Sequence, residues 1–277
     1  MSTTSVPYVV EDFAGSLSVK WMAGGWGLWE TDGGRYRVDP ECYLVLNHGR
    51  AYSLLIDTDE PREAFCPFFA AGFVEGAHAG MTAGVPALLD APFDGARSSV
   101  TFAEHLRPAD DGVISALRRM RAGVRSGEAS ALWLEDRFHD LAERLLLAQQ
   151  AIRREVAAVP AVRAATREEL FRRLCRGRDF LHASFAEPLT LRRIAREACL
   201  APHHFHRRFR AAFGQTPHDY LVRLRLARAR ALLRATEMPV TEVCLEVGFE
   251  SLGSFSALFH RHVGVSPTAY RRRMRSN

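Results

Sequence analysis

Four polar side chains at helical spacing carry the clearest chemistry in this sequence. His203, His206, Arg207 and Arg210 are interleaved with Phe205, Phe209 and Phe213 in HHFHRRFRAAF. Burying the phenylalanines along one face of a helix turns the histidines and arginines outward. Imidazole and guanidinium groups at that spacing can meet base edges in a major groove, and Arg210 at the far end suits a phosphate. A solvated helix face looks much the same, so the surroundings must decide between the two readings.

The surroundings are a tandem repeat. Phe205, Phe209, Gly214, Pro217 and Tyr220 recur 50 positions later as Phe255, Phe259, Gly264, Pro267 and Tyr270. Before the turn the offset is 49, with Leu191, Ile194 and Leu200 matched by Val240, Val243 and Phe249. The second turn therefore carries one extra residue, and two similar helix-turn-helix units follow one another. Charge points the same way. From Phe171 onward there are 20 arginines, no lysine and 8 acidic residues, whereas residues 1–170 are net acidic by 7. A polycationic end beside an acidic one implies a polyanion partner for the basic end.

Each unit needs its elements placed. In the first, Leu191, Ile194, Ala195 and Ala198 share a helix face, and Pro202 opens the second helix after Cys199-Leu200-Ala201. Ala201 is a poor cap. A connecting helix starts at Thr216 as N-cap, with Tyr220, Leu224, Ala227 and Ala231 as its expected buried seam. In the second unit Gly248-Phe249 makes the turn, and Ser251 precedes a helix whose outer face offers Leu252, Gly253, Ser256 and Ala257. These are small or apolar, so bidentate base reading there is poor, and contact with thymine methyls is the better match. Ser266-Pro267 starts a last helix, TAYRRRMR, whose Arg271 and Arg272, with Ser251, suit phosphate.

The first part of the chain reads differently. Residues 20–105 show short apolar runs with turn signals at Asp32-Gly33-Gly34 and Asn47-His48-Gly49, with Pro67 marking an edge or bulge and SSVTFAEHL a later strand. That pattern predicts an antiparallel β barrel or sandwich. His48, His78 and His105 do not form a His-x-His cluster, so no metal site is expected. Trp21, Trp26 and Trp29 read as core filling, and Arg50 as either an anion contact or a solvated turn. From Asp111 the period turns helical. Leu134, Phe138, Leu141, Leu145, Ala148 and Ile152 form a heptad seam that must pack either on the β domain or on a second subunit. Pro160 breaks the pattern, and Thr166 with Glu169 is a capping-box signal for the next helix, which Pro188 ends. The five cysteines include no CxxC pair and read as reduced thiols. With no long apolar run and no secretory pattern at the start, a cytoplasmic protein without a membrane partner is expected.

The segment from EPLTLRRIAREACLAPHHFHRRF to GVSPTAYRRR resembles the DNA-binding domain of the AraC/XylS family of bacterial transcription regulators. The resemblance covers about a third of the chain. It implies an α+β protein: a cupin-like antiparallel β barrel at residues 1–110, a helical packing or dimerisation segment at 111–158, a linker at 159–166 and a seven-helix domain with two helix-turn-helix units at 167–277. It places His203, His206 and Arg207 where the family's first recognition helix reads bases, and Leu252, Gly253, Ser256 and Ala257 at the corresponding places in the second. Double-stranded DNA spanning two adjacent major grooves is the implied partner. A small-molecule effector, RNA polymerase and a second copy of the chain, through Leu134, Phe138, Leu141, Leu145 and Ile152, are further candidates. No cofactor and no catalytic residue are expected. The alternative is a cupin-type metal-dependent or repair enzyme fused to a DNA-targeting module.

Overall fold

The computed structural model describes residues 2–4, 8–56, 62–82, 99–108, 112–158 and 163–275. They fall into two compact units, Met1–Glu168 and Glu169–Asn277.

The first unit holds two antiparallel sheets rather than the closed barrel expected. One sheet runs β1 (Ser2–Thr4), β8 (Arg62–Phe65), β3 (Ser18–Gly24), β6 (Cys42–Leu46), β9 (Arg107–Pro108). The other runs β2 (Tyr8–Ala14), β7 (Ala51–Ile56), β4 (Gly27–Thr31), β5 (Gly34–Val38). Asp32-Gly33-Gly34 closes the β4–β5 hairpin as the sequence indicates, with Thr31 paired to Gly34. Asn47-His48-Gly49 is a turn but not a hairpin. It carries the chain from β6 in one sheet to β7 in the other, with Gly49 at a φ of 74°. That crossing separates the sheets.

The expected strand in SSVTFAEHL does not form among the described residues. Asn47 takes the place of a strand partner. Its Oδ1 accepts from the Phe102 amide at 2.8 Å and its Nδ2 donates to the Phe102 carbonyl at 2.9 Å. Side-chain bonds thus hold this segment extended, and only Arg107–Pro108 joins the ladder. Pro67 lies just past β8, where its carbonyl accepts from the Val19 amide. A helix that the sequence reading missed, α1 (Phe73–Thr82), follows.

β3 and β6 are buried on both faces, which is why CYLVL reads as an unbroken apolar run. Met22, Leu44 and Leu46 meet Trp29, Val38 and Ile56 between the sheets. Val19, Trp21, Tyr43 and Val45 face the other way, onto α2 (Val113–Ser126) and α3 (Ala131–Ala158). Trp21 and Trp29 therefore fill two different cores, while Trp26 lies under the Arg37 guanidinium, 4.1 Å from its ring centre. The heptad seam resolves here too. Leu141 and Leu145 are fully enclosed in the same core as Val113, Leu117 and Met120, with Phe138 packed against it. These residues are occupied within the chain, so the seam is not a dimer contact through Leu141 and Leu145.

Among the described residues the second unit contains six whole helices and most of a seventh, α4 (Ala164–Ala183); the six are α5 (Leu191–Glu197), α6 (Pro202–Phe213), α7 (Pro217–Ala235), α8 (Val240–Glu246), α9 (Leu252–Val263) and α10 (Pro267–Arg275). The expected break at Pro160 lies outside the described residues. The capping box does not form, because α4 already begins at Ala164 and Glu169 pairs instead with Arg172 and Arg173. The same helix ends at Ala183, short of Pro188. On α7 the buried stripe is Val222, Leu226, Ala229 and Leu233, not the neighbouring stripe through Leu224 and Ala227.

Candidate nucleic-acid interface

Each helix-turn-helix unit is built on two buried phenylalanines. Phe205 and Phe209 have no exposed surface, and neither do Phe255 and Phe259. Each ring contributes roughly 1.5–3 kcal/mol on burial, so the pair fixes the rotation of its helix. Phe205 fits because α4 carries Gly177 opposite it, where a Cβ would come within 2.5 Å of the ring. Buried Ala195 and Ala198 line the facing helix in the first unit.

The turns differ as the offsets require. In the first repeat α5 ends in a left-handed residue, Cys199 (φ 50°), and the Leu200 amide reaches back to the Ala195 carbonyl at 2.9 Å. In the second, Gly248 takes that position (φ 88°) and the Phe249 amide reaches Cys244 at 3.0 Å. Both are Schellman-type helix ends. Glu250 is the extra residue. The Ser251 hydroxyl then caps α9 by accepting from the Ser254 amide, whereas Ala201 gives α6 no side-chain cap. Thr216 and Asp219 cap α7 reciprocally, at 2.7 Å between side chains and 3.1 Å to the amide. The Thr216 hydroxyl holds the Asp219 carboxyl below the usual carboxylate range.

With the phenylalanines inside, His203, Arg207 and Arg210 are exposed and His206 half-buried along α6. On α9 Leu252, Gly253 and Ala257 are exposed and Ser256 half-buried. Both expected faces therefore lie at the surface, on helices in equivalent positions of the repeat. His204 sits beside this face. Burial, with Arg208 and Arg207 nearby, pushes its imidazole below its ordinary value, so it is neutral at pH 7. Two exposed residues escaped the sequence reading. His260 and Arg261 extend the outer face of α9, and the 50-residue offset maps Arg210 onto His260.

The arginines divide into two groups. Arg225 donates to the Phe185 and Glu187 carbonyls at 2.8 and 2.9 Å, and Arg173 to the Cys199 carbonyl at 3.2 Å. Arg193 pairs with Glu187 at 2.7 Å. Arg271, expected at a phosphate, instead donates to the Met238 carbonyl and is half-buried. It ties α10 to the start of α8. Arg207, Arg210 and Arg272 remain exposed. In the first unit of the chain, Arg50 is no anion site, because Asp32 and Glu104 pair with it at 2.6 and 2.7 Å. The three histidines of residues 20–105 stay apart: His48 in its turn, His78 on α1, and His105 buried with Nδ1 3.1 Å from the Leu106 carbonyl.

Residues 194–273 match the family described as a helix-turn-helix domain. The C-terminal unit is an AraC-type helix-turn-helix domain. The HTH-type transcriptional activator RhaR of Klebsiella pneumoniae is 33% identical over 134 residues, covering 48% of this chain and 47% of that protein. The HTH-type transcriptional activator RhaS of Shigella boydii is 39% identical over 88 residues, 32% of each chain. The chain thus spans about half the length, or less, of these curated relatives. Among solved structures, the C-terminal domain of AraT, a response regulator from Geobacillus stearothermophilus, is 31% identical with a TM-score of 0.35, over 36% of this chain and 84% of that one. The matched residues span both repeats. No helix among the described residues is long and apolar enough to cross a membrane.

Proposed function

We propose that the chain is a sequence-specific transcription regulator, in which the AraC-type domain binds duplex DNA and the N-terminal unit senses a small-molecule effector. The observation that carries this reading is the pairing of two equivalent helices, α6 and α9, each anchored by buried phenylalanines and each presenting an outward face. Helices so placed enter adjacent major grooves, about 34 Å apart on one face of B-DNA. On α6, His203, His206 and Arg207 read bases and Arg210 holds phosphate. On α9, Leu252, Gly253, Ser256 and Ala257 lie against the groove floor, with Ser251 and Arg272 near the backbone. RNA polymerase is the partner that a regulator of this class engages once bound. The relatives named as transcriptional activators support the same reading.

The test is selection of duplexes from a random library by the full chain, followed by affinity measurement against a scrambled duplex over a salt series. The expected result is an enriched motif spanning two successive grooves. Affinity should fall with a log–log salt slope of about −0.9 per phosphate neutralised. Equal affinity for selected and scrambled duplexes would remove the base-reading role and leave only polyanion binding.

A further inference from the structure

The two outer helix faces carry their charge in different places. Along α6 the polar side chains start early, with His203, His206 and Arg207, and Arg210 comes last. Shifted by 50 positions, these become Gly253, Ser256, Ala257 and His260. Past them, Ala211 and Ala212 become Arg261 and His262. All the charge of α9 therefore lies in its last turn. His260 follows Leu252 and Ser256 at intervals of four, so it stands on the outward stripe, and it is exposed. His262, two residues on, is exposed on another side of the helix.

An imidazole thus stands where the first repeat has a guanidinium. Arg210 is a permanent cation, whereas imidazole ordinarily gains and loses its charge near about pH 6.5. The C-terminal end of a helix favours a cation, and the His260 carbonyl is already satisfied by the Gly264 amide. The elements packed against α9 are α8 and α10. They bring Glu242, Cys244 and Glu246 from α8 and Tyr270, Arg271, Arg272 and Arg273 from α10, with Glu250 in the turn. None of these carboxylates pairs with His260 among the described residues. The chain itself therefore supplies no anion to hold the proton of this ring, and a DNA phosphate is an anion of the right kind in the right place.

We propose that His260 is the phosphate contact of α9 and takes up a proton to make it, so that the second repeat grips DNA more tightly as the pH falls. The imidazolium donates to the phosphate oxygen. The proton comes from solvent, and no bond within the chain has to break. The first repeat keeps a permanent contact through Arg210, which makes the second the titratable half of the interface. Because the phosphate favours the charged ring, the gain in affinity is complete below the ring's value in the free chain. It is lost as the pH rises to the higher value in the complex. This deepens the DNA-binding part of the proposed function and rests on it.

The test uses the full chain and two duplexes, the selected one and one cut back to the groove that α6 enters. Affinities are measured from about pH 6 to about pH 8 at constant salt. The short duplex reports whatever His203 and His206 contribute, and the difference between the two belongs to the second repeat. A nearby opposite charge favours the ionised ring by a factor of ten or more, so the long duplex should gain about tenfold over the short one at the acid end. His260→Arg should bind the long duplex more tightly than the wild type at the alkaline end and lose that extra pH dependence. His262→Arg adds the same charge in the same turn, off the outward stripe, and should keep it. Calorimetry near neutral pH, in phosphate and in Tris, should show greater proton uptake on the long duplex in the wild type than in His260→Arg. Equal pH dependence on the two duplexes, unchanged dependence in His260→Arg, or its loss in His262→Arg as well would each overturn the proposal. Any of these results from a chain that still selects a motif leaves DNA recognition standing, whereas failure to enrich any duplex would overturn both.

Discussion

Gly248→Ala and Cys199→Gly probe the same position in the two repeats and should have opposite effects. Gly248 sits at φ 88°, where any L-residue costs about 1–2 kcal/mol relative to glycine. A new Cβ would also lie 2.6 Å from the Ala186 carbonyl oxygen and 2.9 Å from its C and Cα. All three are backbone atoms, so no rotamer change relieves the clash, and strain of a further ~1–3 kcal/mol follows. The total is a loss of roughly 2–5 kcal/mol. Cys199 already bears the left-handed penalty at φ 50°. Glycine there removes about 1–2 kcal/mol of strain and gives back about 0.5–1 through backbone entropy, a small net gain. All four tryptophans precede residue 169, so their fluorescence follows the first unit, while circular dichroism at 222 nm follows the helices. At about 4–8 °C per kcal/mol for a domain of this size, Gly248→Ala should lower the dichroism midpoint by at least ~8 °C. Cys199→Gly should leave it unchanged or raise it by a few degrees. Equal shifts in the two variants, or a Gly248→Ala midpoint like the wild type, would refute the argument that the turn geometry sets the strain.

Ala201→Ser should supply the cap that α6 lacks and Ser251 gives α9, adding about 1 kcal/mol in a denaturant melt. Arg207→Ala should cost about 1–3 kcal/mol on the selected duplex and little on scrambled DNA, whereas Arg210→Ala should weaken both alike and reduce the salt slope by about one unit; competition titrations separate the two outcomes. Leu145→Ala should destabilise the first unit by about 2–5 kcal/mol without changing sedimentation mass, since that side chain lies in the chain's own core. Glu63 receives two bonds from Arg121, at 2.7 and 2.5 Å, and these hold its carboxyl below the ordinary range. The stabilisation is complete above the ordinary carboxylate value and is lost as pH falls through the lowered one, so Glu63→Gln should be less stable at pH 7 and show a flatter acid limb in a pH series of melts.

The all-α unit was the more legible half, because its signals are local. Phenylalanines at i and i+4, the caps Thr216, Ser251 and Ser266, and proline at the first position of α6, α7 and α10 act within one or two turns. The misplaced α7 seam shows the limit of such signals: Leu224 and Val222 both offer helical stripes, and only the packing partners choose. In the first unit the deciding interactions are long-range. Asn47 holds Phe102 across 55 residues, and that bond turns an expected strand into an extended segment without a ladder. Local periodicity carries no trace of it. Likewise Asn47-His48-Gly49 looks like a hairpin turn, and only the pairing of β7 with β2 and β4 makes it a crossing between sheets. The outward faces of α6 and α9 were legible because burying one stripe fixes the other. The role of Arg271 was not, since its acceptor, the Met238 carbonyl, is a backbone atom that no residue type reveals.

The two repeats solve the same folding problem unequally, and the inequality bears on how the domain divides its work. The first repeat has a strained non-glycine turn and an uncapped α6, yet its outer face is dense in donors. The second has glycine at the strained position, a serine cap and one more turn residue, but its outer face begins with Leu252 and Gly253. Side chains that read bases gain from some freedom to adjust to the groove, and local stability is lower where caps and relaxed backbone are missing. A unit that only holds the duplex has no such need. On the proposed reading, the less optimised turn sits where base discrimination resides, and the better-formed one where the domain must simply stay in place.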